Sequence, residues 1–126
     1  MIGKDGLFTQ FILTEEQLRA GLYYVENVRI PDDAIAMAGI RAAELGEIAE
    51  ILFQKSFDDL DECYFAVLQF TEGFNVALKD HLGSPVKGVK IYTDPQGRKS
   101  RHRLADIMDA IHLTPDQLIW VARDLE

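Results

Sequence analysis

The sequence predicts a mainly α domain, with three long helices forming a bundle-like core, a short basic β-hairpin and a C-terminal helical pair. Three observations carry this expectation. Apolar residues recur at helical spacing over 14–28, 33–55 and 59–82. A Thr followed three residues later by Gln opens both the first and the last expected helix, at Thr14/Gln17 and Thr114/Gln117. Proline and glycine fall at the ends of the apolar runs, at Pro31, Gly83 and Pro85.

Residues 1–12 read as an irregular or short extended lead. The first helix begins at the Thr14 cap, with Leu13 and Leu18 in staple positions, and turns Leu18, Leu22, Val25 and Val28 to one side. The second, 33–55, has a seam of Ile35, Ala38, Ala42, Leu45, Ala49 and Leu52 flanked by Gly39, Ala43 and Gly46. Mid-helix glycine costs about 1 kcal/mol relative to alanine, so two of them imply a close packing partner. The third, 59–82, is apolar around most of its circumference and is expected to be the central helix. Gly83 suits its C′ position and Pro85 its end.

Residues 86–103 change character. Val89, Ile91 and Tyr92 are strand formers, and Asp94-Pro95-Gln96-Gly97 is a turn tetrapeptide, so 88–93 and 98–103 are expected to pair as a hairpin. A helix then runs from Arg103 to Ile111, with Leu104, Ile107, Met108 and Ile111 inward. A last helix is expected over 115–125, Pro115 standing in its first turn.

At 126 residues the chain is expected to be one domain, 1–126. Its 48% hydrophobic and 27% charged residues exclude a disordered tail, and its longest unbroken apolar run, 63–68, is too short to span a membrane. The start, with Lys4 and Asp5 interrupting it, does not read as a secretory signal. The single cysteine allows no internal disulfide, so a reducing, cytoplasmic location is expected. Net charge is −8, unevenly spread. Residues 1–82 carry six Lys/Arg against fifteen Asp/Glu, whereas the stretch 87–103 carries six cations against Asp94 alone.

The sequence contains no phosphate-binding loop, no nucleophile elbow and no zinc spacing. His81, His102 and His112 are scattered, and Asp109 with His112 is a lone D-x-x-H. Glu44, Glu47 and Glu50 read as a solvated helix face. No enzyme, metal, cofactor or small-molecule substrate is expected. On the helical wheel, Tyr23 and Trp120 fall in the middle of polar faces, where an aromatic ring either packs on a neighbouring segment or anchors a partner.

The functional expectation is a small acidic intracellular protein-binding module, of adaptor, inhibitor, immunity or chaperone type. It would occupy a partner sterically and electrostatically, with Tyr23 and Trp120 as anchors and Arg98, Lys99, Arg101 and Arg103 as a charged contact. The partner is another protein or a second copy met through the Ala/Gly seam. The alternative is a nucleic-acid regulator gripping phosphate through 98–103 and the C-terminal helices. Against it stand Asp116 and Asp124 in the would-be recognition helix and the acidity of residues 1–82.

Overall fold

In chain order, the structure, a computed structural model, describes residues 6–16, 24–25, 28–29, 36–41, 51–57, 62–81, 88–94 and 101–123. They are mostly antiparallel strands: β1 (Phe8–Phe11), β2 (Tyr24–Val25), β3 (Val28–Arg29), β4 (Ala38–Ile40), β5 (Gln54–Phe57), β6 (Glu62–Phe70), β7 (Asn75–His81) and β8 (Val89–Thr93). One long helix, α1 (Arg101–Ala110), precedes a 3-10 turn (Pro115–Gln117) and the last strand, β9 (Leu118–Val121). The expected three-helix bundle is therefore incorrect, and so is the description of the protein as helical.

Strands interrupt all three of the long helices expected. Within the 59–82 stretch, residues 62–81 form a β-hairpin, β6 and β7, joined at Thr71-Glu72-Gly73. Its strands are buried on both faces, and such a strand reads as a continuous apolar run, as a buried helix does. Cys63, Phe65 and Val67 are buried on one face, and Ala66, Leu68 and Phe70 on the other. The turn is closed by the Gly73 amide donating to the Phe70 carbonyl at 3.0 Å, and Gly73 takes the left-handed φ of 101° that closure demands. In the 33–55 stretch, Ala38–Ile40 is a strand between β8 and β9, and Gln54 opens β5. Ala38 and Gly39 of the expected seam thus lie on a strand, and Ile35, Ala42, Leu45 and Ala49 lie outside the described residues. In the 14–28 stretch, Glu15–Glu16 are helical, but Tyr24–Val25 pairs with Val28–Arg29 as two strands.

The main sheet has seven strands, in the order β1-β6-β7-β8-β4-β9, with β5 also on β6. β7 lies along one edge of β6, so β5 (against Glu62–Phe65) and β1 (against Val67–Phe70) follow one another along the other. Two glutamine side chains tie these segments together in place of peptide groups. Gln10, almost fully buried, donates to the Leu52 carbonyl and accepts from its amide at 3.0 Å. Gln54 does the same with both backbone groups of Leu13, each at 2.9 Å. Buried backbone polar groups are satisfied in this way where the strand ladder stops.

Helix α1 lies on one face of the sheet. Its Leu104, Ile107, Met108 and Ile111 join Leu68, Val76, Leu78 and Ile91 in the larger core. The expected second arm of the basic hairpin is corrected here: Arg101 and Arg103 belong to α1, and β8 pairs with β7 and β4 instead. The opposite sheet face holds a smaller cluster of Leu13, Cys63, Phe65, Val67 and Ala77. Beside it Lys79, only 4% exposed, sets its ammonium 4.4 Å from the centre of the Tyr92 ring.

Candidate functional site

The C-terminal region opens with the Thr114/Gln117 device, and that device is real: the Thr114 amide donates to Gln117 Oε1 at 2.9 Å. It starts only one 3-10 turn. The residues that follow, Leu118-Ile119-Trp120-Val121, are bulky and partly β-branched, and they continue as a strand against β4. The predicted helix over 115–125 is therefore incorrect, and the helical-wheel argument that singled out Trp120 goes with it.

β9 is the last strand of the sheet. β4 holds one of its edges, and no described strand pairs with the other. Its pairing is irregular: Gly39 faces Trp120 and Ile40 faces Leu118, which leaves Ile119 as an extra residue, a β-bulge. Two glycines accommodate the side chains there. A Cβ at Gly39 would lie 2.8 Å from Trp120 Cε2, and a Cβ at Gly88 would lie 2.7 Å from Ile119 Cδ1. The indole thus lies flat on Gly39, on the face of the sheet away from α1. Its Nε1 is buried and finds no hydrogen-bond partner among the described residues. Ile119 remains 50% exposed, high for a large aliphatic side chain.

On the other side of β9, between that strand and α1, runs an open groove of about 390 Å3. The helix contributes Leu104, Ala105, Met108 and Asp109. Leu113, Pro115, Leu118 and Val121 complete it. Seven of these eight are apolar, so the groove continues the main core out to the surface. Asp109 is the one charged residue among those described there. It is exposed, and among the described residues it has no ion-pair partner.

The end of α1 shapes this groove. Leu113 donates to the Met108 carbonyl at 2.8 Å, and His112 donates to the Asp109 carbonyl at 3.2 Å. This is a Schellman termination with His112 in the left-handed position, at a φ of 62°. It folds Leu113 back beside Met108, and both line the groove. At the rim, Asp116 accepts a hydrogen bond from the Thr114 hydroxyl, and Arg41 reaches the Asp116 carbonyl at 3.5 Å. The Thr114 bond, then Asp116's own amide, hold its carboxyl below the ordinary carboxylate range; burial opposes this weakly and Arg41 adds to it.

Of the sequence-derived site residues, the two whose side chains are described, Arg103 and Trp120, lie apart. Tyr23, Arg98 and Lys99 lie outside the described residues, and Arg101 is placed only by its backbone, at the start of α1. Arg103 is half-buried: it pairs with Glu72 and stacks 4.6 Å from the centre of the Phe74 ring. It fastens α1 to the β6–β7 turn on the helix face of the sheet, whereas Trp120 lies on the opposite face. The groove, Ile119 and Asp109 were not singled out as a site. The signal in the sequence was the Leu-Ile-Trp-Val run after a capping turn, four strand formers where a helix was expected.

Among the described residues no helix is long and apolar enough to cross a membrane, and no three His, Cys, Asp or Glu side chains gather closely enough to hold a metal ion. Comparison of this chain with protein-family models, with curated proteins and with solved structures returns no match, so the geometry alone bears on function.

Proposed function

We propose that this chain is a non-catalytic, cytoplasmic protein-binding module that receives an extended segment of another protein along β9. The single observation that carries the reading is an apolar groove lying beside an edge of an apolar strand that no described strand pairs with. A strand edge presents unpaired N–H and C=O groups at peptide spacing, and another backbone satisfies them best, so the natural occupant is a polypeptide. Side chains of an added strand alternate between faces. One set would enter the groove against Leu118 and Val121; the other would meet Ile119 and the edge of Trp120. The cytoplasmic assignment is supported by Cys63, a buried thiol and the single cysteine of the sequence, which leaves no internal disulfide to form.

β9 is short and bulged, and both features limit uncontrolled sheet growth. That favours a bounded partner segment over open-ended self-association. A second copy, which also carries −8, would be repelled.

Selection of random short peptides displayed on phage, followed by fluorescence polarisation, tests the reading. The expected binders are extended and apolar at alternate positions. Their affinity falls about tenfold or more in Ala105→Arg, which fills the groove from an exposed helix position. Recovery of no binder, or of binders indifferent to Ala105→Arg, overturns it.

A further inference from the structure

Asp109 stands where folding gives no reason for a carboxylate. It lies in the last turn of α1, near the negative end of the helix dipole, and no basic residue accompanies it in that turn. Its side chain has no cation partner among the described residues, yet it is the only charge among the described residues of an otherwise apolar groove. Local choices that oppose stability concentrate at functional positions. An exposed carboxylate beside an apolar trough is complementary to a cation carried next to an apolar side chain.

We infer that the segment docked on β9 is cationic as well as apolar, with a Lys or Arg adjacent to its groove-filling side chain and set against Asp109. The inference rests on the docking reading above and adds the chemistry of the partner. The acidic chain as a whole works in the same direction, drawing a basic segment toward the groove and speeding its association.

The experiment repeats the peptide selection on three proteins: the natural chain, Asp109→Asn and Asp109→Lys. The natural chain is expected to enrich peptides with Lys or Arg beside an aliphatic residue. Those peptides should bind Asp109→Asn about two- to fivefold more weakly at low salt, the range of an exposed ion pair. Asp109→Lys should enrich Asp or Glu at the same position. The thermal midpoint of Asp109→Asn should be unchanged or raised, since the substitution removes an unfavourable dipole interaction. Binders that need an open groove but show no charge preference on any of the three proteins overturn this inference and leave the docking reading standing. Recovery of no binder overturns both. A lowered midpoint in Asp109→Asn would assign the carboxylate a structural role and also overturns the inference.

Discussion

At the scale of single residues, Gly39 and Trp120 form one device. The strand position under the indole has to lack a Cβ, because one placed there would meet the ring at 2.8 Å or closer. Gly39 does permit a close approach, but what approaches is a side chain of the neighbouring strand, not a helix backbone. Gly39→Ala is therefore expected to cost about 1–3 kcal/mol in urea unfolding, in the range of an overpacked interior site. Trp120 is the only tryptophan, so its emission reports on the same event. Displacement of the ring from Gly39 should shift that emission to the red. An unchanged spectrum with unchanged stability would show that the ring does not rest on Gly39.

At the scale of elements, the two ends of the α1–β9 connection give two predictions. His112 holds a left-handed φ that favours glycine, and its side chain is exposed. His112→Gly should stabilise the domain by about 1 kcal/mol, because a left-handed residue with a Cβ carries a penalty of that order. Denaturant midpoints measure it, and a loss of stability would mean that the imidazole makes a contact the termination needs. In the 3-10 turn, the Asp116 carboxyl titrates below its ordinary value of 3.8, chiefly through the Thr114 hydroxyl. A carboxylate depressed in the folded state contributes stability above its unfolded pKa and loses it as pH falls through the folded one. The contribution from Asp116 is thus present at neutral pH and disappears below about pH 4. Carboxyl chemical shifts followed by NMR should place Asp116 below 3.8 and move it upward in Thr114→Val. No movement in that variant would reject the hydroxyl as the main cause.

At the scale of the whole molecule, the docking reading requires that the groove be surplus to folding. Ala105 and Asp109 are exposed on the outer flank of α1, whereas Leu104, Ile107 and Met108 are held in the core. Ala105→Arg should therefore leave the urea midpoint within about 0.5 kcal/mol of the natural chain while it weakens peptide binding about tenfold or more. Parallel loss of stability and binding would show that the groove is part of the core and not a site. Arg103 belongs to the opposite category. Paired with Glu72 and stacked on Phe74, it supports the placement of α1 rather than a partner contact.

Some of this was legible in the residues. The α1 pattern, with Leu104, Ile107, Met108 and Ile111 inward, follows from helical spacing on a half-buried helix, and one polar face makes that spacing unambiguous. Val89, Ile91 and Tyr92 announced β8 by alternation and shape. The β6–β7 hairpin was hidden because both of its faces are buried, which erases the alternation that separates a strand from a helix. Gly73 was the available clue, a turn residue within the apolar stretch. The Thr114/Gln117 motif specified a capped turn and nothing beyond it.

By itself, then, the sequence determined local items: the Thr114/Gln117 turn, the strand formers of β8, the amphipathic helix α1 and the acidic charge. Whether an apolar run becomes helix or strand was decided by its neighbours across the sheet, because local preference differs by less than the burial each arrangement gains. The groove exists only at that level. It is made where α1, packed on one face of the sheet, meets a last strand that has no described strand beyond it, and no stretch of residues read alone contains both.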